Sequence, residues 1–200
     1  MNRKSEREEE LVLELLDEIG KKSDVSQRHL ARHMGVALGL ANSYLKRCIR
    51  KGFVKIREAP ANRYLYYLTP KGFAEKSRLT GKYLSISFTF YRRASTSCAK
   101  AFQQCAANGW RRVVLCGVSD LAEIASLQAL EADIEIAGVY DPESERTQFI
   151  GKTIWRELDG AAPFDVCVLT DLQSPATRFE HLAALVGRER VIVPDILGLE

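Results

Sequence analysis

Between residues 8 and 68 the apolar side chains recur first in steps of three and four and then in steps of two. That change of period admits few folds other than a small helical cluster closed by a hairpin. Residues 8–20 set Leu11, Val12, Leu15, Leu16 and Ile19 along one helix face, with acidic residues outside and Gly20 as the stop. Ser26 is a good N-cap for a second helix, which runs through Leu30, Ala31 and Met34 to Gly35, where the chain can turn tightly. A third helix is predicted from Leu38 to Lys51. Its stripe of Leu38, Ala41, Leu45, Cys48 and Ile49 leaves Gly39, Asn42, Ser43, Lys46, Arg47 and Arg50 on the opposite face. After Gly52, Phe53-Val54-Lys55-Ile56-Arg57 alternates apolar with basic, Pro60-Ala61-Asn62 turns, and Arg63-Tyr64-Leu65-Tyr66-Tyr67-Leu68 alternates again.

Two helices joined at a glycine and followed by such a hairpin form the pattern of a helix-turn-helix with a wing. Charge falls in the same place. The chain totals +3, but residues 1–93 carry 20 basic and 10 acidic side chains, whereas residues 94–200 carry 9 and 16. Within residues 21–93 the excess reaches +14, a field that suits a polyanion. Asn42, Ser43, Lys46, Arg47 and Arg50 supply amide, hydroxyl, ammonium and guanidinium groups for base edges and phosphates, and Gln27 and Arg28 open the preceding helix. Lys55, Arg57, Asn62 and Arg63 sit on the wing, within reach of backbone or minor groove. Double-stranded DNA is therefore the expected partner. His29 and His33, one helical turn apart, have zinc-compatible spacing but no third ligand in the sequence, so a solvated or phosphate-near pair is expected and no metal.

The run Leu38-Gly39, Asn42, Leu45-Lys46, Lys51-Gly52-Phe53-Val54-Lys55, then Tyr64 through Gly72, Glu75-Lys76 and Leu79-Thr80, resembles the MarR-type winged-helix regulators associated with exopolysaccharide gene clusters. The resemblance covers about residues 8–93, and Leu68-Thr69-Pro70-Lys71-Gly72 is its most specific stretch; it departs from that family's pattern at Ala37, Leu40 and Ser43. It implies a cytoplasmic, dimeric transcription regulator of surface-polysaccharide genes.

Pro70 suits the first turn of a further helix, and no strong break follows before Asn108-Gly109. Ala74, Ser77, Gly81, Leu84, Phe88, Tyr91, Ser95, Cys98, Phe102 and Cys105 keep steps of three and four, a seam along which two copies could pair. The alternation of Leu84, Ile86, Phe88 and Phe90 also fits a strand, and the alternative to pairing is a helix that packs only on its own chain. Cys98 and Cys105 on that seam are open to a cross-linking or oxidant-sensing role as well as to simple burial.

Residues 110–200 alternate apolar strands with helices: Val113 to Gly117, a helix from Asp120, Ile134 to Asp141, Asp165 to Thr170, a helix from about Ser174, and Arg190 to Pro194. This predicts a small parallel sheet of Rossmann type, giving an overall fold class of α+β winged helix-turn-helix (residues 1–80), connecting helix (81–109) and α/β domain (110–200). Ligands of such sheets collect where strands end. Gly117, Ser119 and Asp120 at the first strand-to-helix turn, and Asp141 after the second strand, are the candidate ligand residues. One glycine stands where a dinucleotide fingerprint has three, and Asp120 would repel a pyrophosphate. No cofactor is fixed; a nucleotide, nucleotide sugar or dinucleotide is the effector class that these positions suggest. Ser119 lacks a nucleophile elbow and His181 is the only histidine downstream, so no catalytic constellation and no enzyme is expected. Five cysteines without metal-finger spacing, no signal segment and no long apolar run point to the cytoplasm and away from a membrane. Three functions stay open: a ligand-responsive DNA-binding regulator, a small nucleotide-dependent enzyme with the winged helix as a docking module, and an adaptor whose second domain binds nothing.

Overall fold

The computed structural model describes residues 3–60 and 63–199, and the chain divides into two compact units, residues 1–87 and 88–200. In the first, helices α1 (Arg3–Lys21), α2 (Gln27–His33) and α3 (Leu38–Arg50) precede strands β1 (Val54–Ala59) and β2 (Arg63–Leu68), and α4 (Pro70–Ala107) begins. Local chemistry sets these limits. Ser26 caps α2, its Oγ accepting from the His29 N–H at 3.1 Å. Gly35, at φ +59°, closes the same helix: the Val36 N–H reaches back to the Ala31 carbonyl at 3.0 Å, a bond that requires the left-handed conformation that glycine adopts without cost. Ala37 heads α3 with no side-chain hydrogen bond.

Leu15, Leu16, Leu30, Met34, Ala41, Leu45, Cys48, Phe53, Val54 and Tyr66 form one buried cluster, so the three helices and the hairpin share a core. Each fully buried leucine there is worth about 1.5–3 kcal/mol relative to exposure. β1 and β2 pair antiparallel in the register Val54↔Leu68 to Ala59↔Arg63. The unit is a winged helix-turn-helix. Glu18, buried on α1, accepts a hydrogen bond from His29 at 2.8 Å and lies 3.7 Å from His33, so the histidine pair is seated on a carboxylate rather than solvated alone. The His29 bond holds the Glu18 carboxyl below its ordinary range. Among the described residues no group of three or more His, Cys, Asp or Glu is placed to hold a metal.

In the second unit β3 (Arg112–Cys116), α5 (Asp120–Glu131), β4 (Glu135–Tyr140), β5 (Gln148–Phe149), β6 (Lys152–Trp155), β7 (Val166–Leu169), α6 (Pro175–Val186) and β8 (Val191–Ile192) follow α4. The sheet order is β5-β6-β4-β3-β7-β8; all its pairs are parallel except the β5–β6 hairpin. Counted along the parallel strands this is the order 3-2-1-4-5 of a Rossmann-type sheet, with the direction of winding reversing between β3 and β7. Val113, Leu115, Val166 and Val168 face α4 and α5 on one side, while Val114, Cys116, Cys167 and Leu169 face α6 on the other. Sequence patterning did not reveal β5 and β6. They are two and four residues long, and their turn is Ile150-Gly151, both at positive φ, rather than the Asn-Gly or Asp-Gly that signals a hairpin.

α4 is unbroken for 38 residues, about 57 Å at 1.5 Å per residue. Its apolar stripe is divided between two environments. Ala94, Cys98, Ala101, Phe102 and Cys105 are buried in the core of the second unit, so the C-terminal half of the predicted seam packs on its own chain. Leu84, Phe88 and Tyr91 are exposed, as are Tyr83 and Ile86. Burial pushes the Cys98 thiol up to about 12 and that of Cys105 up to about 11, which disfavours the thiolate that oxidant chemistry needs.

Candidate nucleic-acid interface

The outward face of α3 carries Gly39, Ser43, Lys46 and Arg50, all exposed. Steps of three, four and seven place these residues in one row, and the burial of Ala41, Leu45 and Cys48 on the far side fixes which way the row points. Among the described residues neither Lys46 nor Arg50 has a carboxylate partner, so both cations are available to an incoming anion. Arg28 on α2 and Lys55 and Arg57 on β1 are exposed too, and Arg63 opens β2. Asn62 lies outside the described residues.

Two members of the predicted reading face are placed differently. Arg47 turns toward α1, where its guanidinium donates to the Glu8 carboxylate at 3.1 Å. Asn42 is half-buried, and its amide oxygen is enclosed without a hydrogen-bond partner. A paired contact with adenine needs both amide atoms, and Asn42 offers at most one. Gln27, at the start of α2, donates to the Tyr66 hydroxyl at 3.3 Å, which ties the helix-turn-helix to the wing. Between them lies an open cleft of about 660 Å³ lined by Val25, Arg28, Leu38, Pro60 and Tyr64 among others.

A short capping segment joins the wing to α4. The Thr69 Oγ1 donates to the Gly52 carbonyl at 2.6 Å and accepts from the Gly72 N–H at 3.0 Å, while the Thr69 N–H donates to the Phe53 carbonyl at 3.0 Å. Leu68-Thr69-Pro70-Lys71-Gly72 is thus a strand end, an N-cap, a proline at the first helical position and a glycine at a close approach.

The other candidate region is the crevice where β3 and β7 end. Gly117, at φ +114°, packs so closely on the Asp171 backbone that a Cβ there would come within 2.7 Å. The Val118 N–H, the amide that a phosphate would use, instead donates to Asp141 Oδ2 at 2.9 Å. Ser119 caps α5 and donates its own proton to the Thr170 carbonyl at 2.5 Å. Of the four predicted ligand residues, Gly117, Ser119 and Asp141 are engaged in holding the ends of β3, β4 and β7 together, and Asp120 alone is exposed. The structure adds Arg178, which the sequence reading missed. It is 7% exposed, donates from Nε to Asp171 Oδ2 at 3.1 Å and from Nη2 to Glu143 at 3.2 Å, and lies 3.9 Å from Asp141. The sequence did hold a signal: Arg178 stands one turn before Leu182, on the buried stripe of α6. Nearby, the Tyr140 hydroxyl and His181 Nε2 are 2.8 Å apart, within hydrogen-bond distance, and burial pushes the phenol up.

Residues 8–55 match the protein family described as winged helix-turn-helix DNA-binding. No curated protein matches the chain. Similar solved structures include Streptococcus pneumoniae FabT in complex with DNA, at 22% identity over 40% of this chain and 57% of that one, with a TM-score of 0.34. A mutant of S. aureus MepR shares 13% identity over 45% of this chain and 64% of that one, at TM-score 0.36. Human N-acetylserotonin methyltransferase in complex with SAM shares 14% identity over 87% and 68%, at TM-score 0.37. The chain thus spans less than two thirds of the length of the first two. Among the described residues no helix is long and apolar enough to cross a membrane.

Proposed function

We propose that this protein is a DNA-binding transcription regulator, not an enzyme, that it works in the cytoplasm, and that it reads double-stranded DNA with α3 while the wing and α2 grip the backbone. The observation that carries this reading is the row of Ser43, Lys46 and Arg50, exposed on the helix of a winged helix-turn-helix that a DNA-binding family matches, inside a segment of net charge +14. Fluorescence anisotropy with duplexes from the protein's own gene neighbourhood, titrated with salt, tests it. The double substitution Lys46→Ala/Arg50→Ala is expected to leave the melting temperature unchanged and to make the plot of log K against log salt shallower by about 2 units, one for each lost phosphate contact. Binding that is neither salt-dependent nor sequence-preferring would end the proposal. The likeness of the Leu68 to Gly72 stretch to exopolysaccharide-associated regulators supports surface-polysaccharide genes as the target.

Pairing of two copies completes the reader, since a regulator with two recognition helices can engage successive major grooves. Leu84, Phe88 and Tyr91 support a homodimer, because three large apolar side chains exposed 44–58% along one helical row are costly to leave in water. Leu84→Glu/Phe88→Glu is expected to convert the dimer to a monomer in sedimentation velocity and to weaken DNA binding more than tenfold through lost bivalency. The second unit serves as the dimerising or sensing part. Ser119, Asp141, Asp171 and Arg178 in its crevice are taken up by hydrogen bonds and ion pairs within the chain, which supports regulation rather than catalysis.

A further inference from the structure

The first turn of α3 carries a feature that phosphate contacts do not explain. Leu38 and Leu40 are 42% and 45% exposed on either side of Gly39, where polar residues are the usual occupants of an exposed helix start. The two leucines differ in their surroundings. Leu38 lines the cleft between α2 and the wing with Val25, Arg28 and Tyr64. Leu40 belongs to no core cluster among the described residues; Ser43 and Arg47, three and seven positions on, share its side of the helix. At Gly39 a Cβ would meet nothing within 4 Å, so this turn is narrow as well as apolar and can approach base edges closely.

The edges of the major groove are donors and acceptors apart from the 5-methyl group of thymine, which is the natural partner for an aliphatic side chain. We infer that Leu40 is a specificity-determining residue that packs on a thymine methyl group in the bound DNA. Ser43, three positions further along, joins Leu40 to the outward row and reads or anchors the neighbouring position. The inference rests on the DNA-reading function proposed above and adds to it a preference for A·T pairs at the position that the first turn of α3 reaches.

Its test removes methyl groups one at a time. The full-length protein selects a duplex from a random library, and each thymine of that duplex is then replaced singly by deoxyuridine, which keeps base pairing and every polar edge. At one or more positions the wild-type protein is expected to lose about fourfold in affinity, the worth of one buried methyl group. At those positions Leu40→Ala, and independently Leu40→Gln, are expected to bind the thymine and uracil duplexes equally. Wild-type affinity that is unchanged at every replacement overturns the inference, as does a Leu40→Ala variant that retains the full loss. Selection that yields no duplex at all removes the DNA-reading function itself, and this inference with it; selection that succeeds without methyl sensitivity removes only the role of Leu40.

Discussion

Gly72→Ala is expected to unfold the DNA-reading unit at far lower temperature than the parent chain. An added Cβ would stand 2.0 Å from the Phe53 carbonyl oxygen and 2.9 Å from its carbon, both backbone atoms that no rotamer change can move away. That carbonyl already accepts from the Thr69 N–H at 3.0 Å, and the neighbouring Gly52 carbonyl accepts from the Thr69 hydroxyl at 2.6 Å. Relief therefore requires either the start of β1 or the start of α4 to shift, which breaks the N-cap of α4 and lifts Phe53, only 8% exposed, out of the core. Overpacking of about 1–3 kcal/mol and one or two lost hydrogen bonds of about 1 kcal/mol each sum to roughly 2–5 kcal/mol. For a unit of this size that lowers the melting temperature by more than about 10 °C. Calorimetry on the full chain reads it directly, and DNA affinity falls with the folded fraction. A melt within about 2 °C of the parent would mean that the approach of α4 to Phe53 is looser than the structure gives it.

The same segment shows what a sequence can and cannot disclose. Gly20, Ser26, Gly35 and Gly52 punctuate the first unit at its helix ends, and because capping and period are local properties, α1 to α3 and the wing were legible within a residue or two, apart from the first turn of α1. Gly72 was visible only as part of a motif; its reason is a contact with Phe53, 19 positions away, that no local rule contains. Asn42 and Arg47 fail to be free for a related reason. A helical wheel gives the face but not the neighbour, and for Arg47 the neighbour is Glu8 on another helix. Periodicity found the stripe of α4 from Leu84 to Cys105 but could not say what covers it: the stretch around Cys98, Phe102 and Cys105 lies under its own sheet, and the stretch around Leu84, Phe88 and Tyr91 is bare. In the crevice Gly117, Ser119 and Asp141 find their partners in the chain itself, in Thr170 and the Val118 amide, because Asp141 supplies internally the negative charge that this amide attracts.

Arg178→Met is expected to destabilise the second unit severely at neutral pH and much less in acid. The guanidinium is the one cation among the described groups between Asp141 and Asp171, both at most 9% exposed, and its aliphatic stem is close in length to methionine, so the substitution removes charge while keeping most of the packing. Deleting one partner of a buried pair leaves its carboxylate uncompensated, at a cost of about 3–5 kcal/mol. The Glu143 bond adds little to that sum, because Glu143 is 82% exposed. The sign of the pH dependence follows from Asp171. Burial pushes its carboxyl up, but the Ser174 N–H, the Arg178 guanidinium and the Gln173 N–H together hold it below the ordinary value. A carboxyl so depressed stabilises the fold above its unfolded pKa of about 3.9, and that contribution is lost as pH falls through the folded value. In the variant the guanidinium that helps to hold the carboxyl down is gone, so Asp171 takes up its proton at higher pH than in the parent, which relieves the stranded charge. Urea denaturation of the two proteins at pH 7 and pH 4 should therefore show a gap that narrows on acidification. An equal gap at both values would assign the loss to packing of the arginine stem instead. The narrowing result would mean that the three strand ends of the crevice are held by charge, so that a ligand entering there must replace Arg178 or its carboxylates rather than fill an empty cradle.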